Sequence, residues 1–173
     1  MMYFLDFDRT VFDTDAFYAS LKDHPVLAPL YVHASEDRAQ FVRETLSLDS
    51  FSFAPGELSR FVYEDAARFL RDKENGVMLI TFGNPDFQKA KVESAIHGIP
   101  RIATMYTGDV RKGAFIQPHI SMYGHAPVFV DDAPLELEIL AERAPGAQLF
   151  EIRRDGAPGD GRWPVIRSLS ELP

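Results

Sequence analysis

Apolar residues run almost without interruption from Met1 to Phe7 and then meet charge at Asp8, the pattern of a strand covered on both faces. Side chains two apart on an extended segment point the same way, so this spacing directs Asp6 and Asp8 to one point above the strand end. From Asp13 the period becomes helical. Asp13, Thr14 or Asp15 caps a helix that carries Phe17, Tyr18 and Leu21 and stops near Pro25. Ala39, Val42, Arg43 and Leu46 predict a second helix from Glu36 to Leu46. A third is expected from about Glu57 to Lys73, where Leu58, Phe61, Val62, Ala66, Phe69 and Leu70 form an apolar stripe and Asn75-Gly76 closes it.

Val77 to Asn84 reads as a second buried strand, and Pro85 to His97 as a helix with proline in its first turn and Gly98 just beyond its end. Arg101 to Tyr106 is a third strand. Lys112 to about Tyr123 is expected to be helical despite Pro118. The run PVFVDDAP holds a fourth strand ending in Asp131 and Asp132, followed by a helix from Leu135 to Ala144 and a fifth strand from Ala147 to Ile152. The tail RRDGAPGDGRWP reads as a turn-rich loop. Strand and helix thus alternate from Val77 onward, the signature of a parallel sheet with helices on both faces. Right-handed crossovers place every strand's carboxyl end on one rim, where open sheets of this kind bind ligands. Asp6, Asp8, Thr81, Asp131 and Asp132 all fall at such ends.

Composition narrows the class of function. The 173 residues suit one domain, or one core with a modest insertion. With 18 basic against 26 acidic residues the net charge is −8, which disfavours long nucleic acids as partners. The absence of cysteine excludes disulfides, thiolate metal sites and cysteine nucleophiles. The first residues lack the basic lead of a signal peptide, and no apolar run approaches the roughly 20 residues of a membrane helix, so the cytoplasm and no membrane partner are expected. Oligomeric state is left open. His119 and His125 lack nearby acids and read as surface or packing residues rather than metal ligands.

Burying a carboxylate without a partner costs several kcal/mol, roughly 2–7 for an unpaired polar group and more for a charge. Two acid pairs gathered at one rim would also repel each other unless a cation stood between them. A hard divalent ion with oxygen ligands answers both problems. Magnesium usually binds one or two carboxylates together with substrate phosphate.

The residues now carry a resemblance. DFDRT, Asp6 to Thr10, resembles the first motif of the haloacid dehalogenase-like hydrolase superfamily. LITFGN resembles the second through Thr81, VRKGAF the third through Lys112, and VFVDDAP the fourth through Asp131 and Asp132. All four stand in order at the expected strand ends. The resemblance implies an α/β, Rossmann-like three-layer sandwich with a mostly parallel central sheet, and an enzyme of the small capped phosphatase type.

In such an enzyme Asp6 would attack phosphorus to give an aspartyl-phosphate, and Asp8 would protonate the leaving group and later deprotonate water. Thr81, Lys112, Thr10, Gly83 and backbone N–H groups from Asp8 to Thr10 would hold the phosphoryl group. Mg²⁺ would be held at Asp6, Asp8 (through its carbonyl), Asp131 and Asp132, with Asp131 the direct ligand and Asp132 a second ligand or outer orienter. Lys89 and Lys91 also lie between the second and fourth motifs, but fall mid-helix, where their side chains are expected to start away from the rim. Asp8 favours phosphate esters, because carbon–halogen cleaving relatives lack the second acid.

Residues 14–56 lie where the superfamily often carries a cap, giving a core of residues 1–13 and 57–173 with a small helical cap inserted after the first strand. Its aromatics are expected to pack mainly in the cap's own core. The function implied is Mg-dependent hydrolysis of a small phosphorylated metabolite. A phosphotransferase, a catalytically idle phosphate-binding module and a nucleic-acid end phosphatase are the competing classes.

Overall fold

The computed structural model describes residues 1–33, 37–48, 52–73, 76–99, 102–118, 120 and 126–173. The strands are β1 (Tyr3–Asp6), β2 (Val77–Thr81), β3 (Ala103–Tyr106), β4 (Val128–Asp131), β5 (Gln148–Ile152) and β6 (Val165–Ile166). They form one sheet in the order β3-β2-β1-β4-β5-β6, and every pairing is parallel. The chain is therefore α/β, as its alternating pattern predicts.

Alternation along the strands builds a core on each face. Tyr3, Leu5, Leu79 and Val130 pack into one cluster with Phe69 and Leu70 of α4 (Glu64–Asp72) and Phe87, Val92 and Ala95 of α5 (Pro85–Ala95). Phe4, Ile80, Phe129 and Leu149 face the other way. They meet Ile116 of α6 (Lys112–Ile116) and Leu137 and Leu140 of α7 (Pro134–Arg143). Helices thus cover both sides, and the central strands β1 and β4 are buried along their whole length because neither of their faces meets water.

The strand order also fixes where a site can form. The chain leaves β1 toward β2 and β3, then returns to the other side of β1 for β4, β5 and β6. Connections that diverge from a central strand open a crevice at its carboxyl end. Asp6 ends β1 and Asp131 ends β4, so the two carboxylates flank that crevice.

Residues 14–56 contribute α1 (Thr14–Ser20), α2 (Ala28–His33) and α3 (Arg38–Leu46). Of the three candidate caps it is Asp13 that accepts the Ala16 N–H, at 2.9 Å. Phe17, Phe41 and Phe53 are buried in the same cluster as Phe12, Phe61 and Phe87. These aromatics therefore share one core with the sheet's own helices rather than forming a core apart.

Several expected elements end elsewhere. The helix expected over 57–73 is a short 3₁₀ turn at Ser59–Phe61 followed by α4. Between them the chain is extended, because the Tyr63 N–H donates to the Val11 carbonyl at 3.0 Å and the Asp13 N–H to the Phe61 carbonyl at 2.7 Å. Pairing with a distant loop overrides local helical spacing. α6 stops at Ile116, two residues before Pro118, which cannot continue a helix. The tail from Arg153 to Pro164 holds no helix or strand, as expected, and just beyond it β6 adds a sixth strand. Glu36, Phe51, Asn75, Arg101, His119 and the 121–125 stretch with His125 lie outside the described residues. Among the described residues no helix is long and apolar enough to cross a membrane.

Candidate active site

Strand ends bring the expected acids together. One carboxylate oxygen from each of Asp6, Asp131 and Asp132 lies within 4.8 Å of the others. The Lys112 ammonium bridges two of them, 2.6 Å from Asp6 Oδ1 and 2.6 Å from Asp131 Oδ2. Lys112 begins α6, and its N–H donates to Glu136 Oε2 at 3.1 Å while Arg111 Nη1 grips Oε1 at 2.8 Å. Glu136, buried at the start of α7, thus seats the lysine's own backbone.

Gly113 lets the two helices approach. A Cβ there would lie 2.8 Å from Ile139 Cγ2 and 3.0 Å from the Ile139 carbonyl carbon. The small residue is a steric requirement of the position that carries Lys112.

One lysine does not neutralise three acids. Burial drives the Asp6 carboxyl well above the usual carboxylate range, and the Asp131, Asp132 and Asp8 charges add to that against the opposing Lys112. Asp131 is raised by burial against Lys112. Asp132 is pushed up to about 6 by burial and then by Asp131. Lys112, despite burial, is held protonated well above its ordinary value by Asp6 and Asp131. Asp6 Oδ2 is buried with no hydrogen-bond partner among the described residues. An all-oxygen donor set with surplus negative charge and one orphaned carboxylate oxygen fits a hard divalent cation.

Thr81 ends β2 with its hydroxyl buried and likewise unpartnered among the described residues. Thr10 is fully buried, its hydroxyl unpartnered and its carbonyl held by Arg154. Gly83 adopts φ 119°, a left-handed backbone that glycine tolerates, and its N–H donates to the Gly108 carbonyl at 2.8 Å. Arg9 has φ 59°, the one positive value among described non-glycine residues. Its N–H is taken by the Phe12 carbonyl, and its guanidinium pairs with Asp15 at 2.8 and 3.0 Å.

The Asp8 carboxylate does not join the acid cluster. Oδ1 accepts from Lys91 Nζ at 2.6 Å and from the Thr14 hydroxyl at 2.5 Å, and Oδ2 accepts from Gln88 Nε2 at 3.0 Å. Burial pushes this carboxyl up, but the Lys91 charge and the hydrogen bonds from Lys91, Thr14 and Gln88 outweigh it and hold Asp8 below the usual range. The expectation that Lys91 starts away from the rim is therefore corrected. Its side chain runs along the inner face of α5 up to Asp8, whereas Lys89 points to solvent. A signal for this exists in the chain: Lys91 stands four residues after Phe87 and four before Ala95, on the helix's buried stripe.

A cavity of about 630 Å³ opens above Asp8. Tyr18, Phe82 and Phe87 supply rings, and Val42 and Arg43 of α3 line it together with Asp132. This is an ordinary size for a small-molecule site.

No protein-family model matches the chain, and no curated protein matches it. Its structure is similar to that of a protein from Burkholderia xenovorans described as a haloacid dehalogenase-like hydrolase, with TM-score 0.64, 19% identity, and coverage of 99% of this chain and 94% of that one. A hydrolase of the same description from Xanthomonas campestris gives TM-score 0.59, 13% identity, and coverage of 99% and 92%. The Unknown transcript 4 protein of Saccharomyces cerevisiae gives 0.53, 16% identity, and 99% of each chain.

Proposed function

From a chain with the fold of the haloacid dehalogenase-like hydrolases, we propose a magnesium-dependent phosphatase acting on a small phosphorylated metabolite through an aspartyl-phosphate. The observation that carries this reading is the Lys112 ammonium bridging Asp6 and Asp131 beside a buried Asp6 oxygen that has no hydrogen-bond partner among the described residues. Such an arrangement suits a nucleophile that must meet an anionic phosphoryl group while its own charge is balanced.

An Asp6 oxygen attacks phosphorus as the bond from phosphorus to the leaving oxygen breaks, and Asp8 passes a proton to that oxygen. Water then attacks the aspartyl-phosphate, Asp8 takes the water's proton, and the Asp6 carboxylate and inorganic phosphate are released. A bound phosphoryl anion would raise Asp8 by like-charge repulsion, offsetting Lys91 and returning it toward a proton-carrying range. Lys112 and the Thr81 hydroxyl hold phosphoryl oxygens. A divalent cation at Asp6, Asp131 and Asp132, with the Asp8 carbonyl, would neutralise charge on the phosphoryl oxygens. Residues 14–56 act as a cap whose α3 and Tyr18 close the cavity over the leaving group and exclude water.

The test is turnover of p-nitrophenyl phosphate and of a panel of phosphorylated metabolites with magnesium, paired with acid quenching and mass spectrometry of the Asp6 peptide. Phosphate release with a phosphoryl adduct on that peptide is expected. An adduct on any other residue, or none during turnover, would overturn the nucleophile assignment.

A further inference from the structure

Lys91 is a costly residue where it stands. It is 1% exposed on the inner face of α5, with its ammonium 5.5, 5.4 and 5.9 Å from the ring centroids of Phe7, Phe12 and Phe87. Removing an ammonium from water costs several kcal/mol, and an apolar residue of similar volume often serves stability equally well. Packing alone does not call for a lysine here.

Its ammonium is spent on Asp8, in concert with two other donors. Thr14 arrives from α1 and Gln88 from α5, one turn before Lys91. Gln88 Nε2 also donates to the Phe82 carbonyl at 3.0 Å, which ties it to the end of β2. Gly83 leaves room for this amide, since a Cβ there would come within 3.2 Å of Nε2. Three donors from two helices thus converge on a carboxylate whose side chain is still 28% exposed toward the cavity.

A carboxylate's terminal torsion is soft, with broad rather than staggered preferences. Proton transfer needs the opposite, an oxygen held within hydrogen-bond reach of one reacting atom. We infer that Lys91, with Gln88 and Thr14, is the positioning residue that fixes the Asp8 carboxylate in one orientation for proton transfer at the reacting phosphate oxygen. This rests on the phosphatase reading, through the role given to Asp8. Lys91 belongs to none of the four motifs that carry the resemblance, and it acts through Asp8 rather than on substrate.

The test compares kcat/KM for p-nitrophenyl phosphate, whose leaving group needs little protonation, with that for phenyl phosphate, whose leaving group needs more. Lys91→Met is expected to lower the phenyl phosphate value about 100-fold and the p-nitrophenyl phosphate value about tenfold or less. Lys89→Met makes the same charge change on the exposed face of the helix and is expected to alter neither. The chain has no cysteine, so Lys91→Cys can be alkylated at a single site with 2-bromoethylamine while unfolded, then refolded. The thiolate displaces bromide and restores an ammonium at lysine's reach. Recovery to about a tenth or more of the parent's phenyl phosphate activity is expected, and comparison of alkylated with unalkylated protein carries the test even where Lys91→Met fails to fold. Equal losses on both substrates with no recovery on alkylation, or an indifferent Lys91→Met, would overturn the inference. A parent inactive on every substrate overturns the phosphatase reading itself, and the clamp's catalytic role with it, before any variant is made.

Discussion

Arg154, two residues beyond β5, reaches Asp65 on α4, its Nη1 lying 2.9 and 2.8 Å from the two carboxylate oxygens. From Nε and Nη2 the same guanidinium donates to the Thr10 carbonyl at 3.1 and 2.7 Å. Asp65 also accepts from the Leu169 N–H at 2.7 Å and the Ser168 hydroxyl at 2.9 Å. One ion pair thus ties the loop that follows Asp6 and carries Asp8 to the far half of the sheet and to the chain's last turn.

This pair gives stability a defined pH dependence. Burial raises the Asp65 carboxyl, but the Arg154 hydrogen bond, the Leu169 N–H and the Ser168 hydroxyl together hold it below the ordinary value. A carboxyl depressed in the folded state stabilises fully above its unfolded pKa of about 3.9, and the contribution fades as pH falls through the folded value. The urea midpoint of the parent is therefore expected to exceed that of Asp65→Asn near neutral pH, with the gap closing only in acid below about pH 4. A gap that widens on acidification would contradict the role given to the pair.

Substitutions at the crevice test the proposed nucleophile apart from the proposed proton carrier. Asp6→Asn is expected to abolish turnover and the phosphoryl adduct together, since an amide cannot form the intermediate. Asp8→Ala should slow turnover by roughly 10²–10⁴, the range for removal of a general acid–base group. Rapid-quench measurement on both variants reads the difference directly.

Much of this site is legible in the chain because a parallel strand must deliver its last residues to the rim. Asp6, Thr81 and Asp131 needed only an apolar run and its end to be placed. Lys112 needed its motif. What stayed hidden depends on partners remote in sequence: Lys91 meets Asp8 across 83 positions, and Arg154 meets Thr10 across 144. The helix expected over 57–73 failed for the same reason, since the extended link at Val62 and Tyr63 is dictated by pairing with Val11 and Asp13. β6 was hidden because two residues show no periodicity, and they pair with Glu151 and Ile152 only once β5 is in place.

Gly113→Ala tests whether the close approach of α6 to α7 places Lys112. The new methyl would meet Ile139 at 2.8 Å and its backbone at 3.0 Å, so α6 must shift away from α7. Overpacking of this kind costs typically about 1–3 kcal/mol, read as a lowered urea midpoint. A shift of α6 also moves the Lys112 ammonium from its place between Asp6 and Asp131, so turnover should fall further than stability alone explains. Activity retained in fully folded Gly113→Ala would show that the lysine's stem absorbs the displacement.

Cation binding should be visible as stability even without substrate. Asp6, Asp131 and Asp132 crowd three carboxyl groups around one ammonium, and their mutual repulsion is a cost the folded state bears alone, because the unfolded chain separates them. A divalent ion that joins the cluster relieves that cost and binds only the folded chain. Magnesium at about 100 times its dissociation constant is therefore expected to stabilise the protein by about 2.7 kcal/mol, seen as a rise in Tm that a chelator reverses. Asp131→Asn should abolish the magnesium-dependent rise while leaving the metal-free protein folded, since it removes one of the crowded charges along with one side of the Lys112 bridge. A Tm indifferent to magnesium in the parent would mean that the surplus charge at the crevice is balanced by something other than a metal ion.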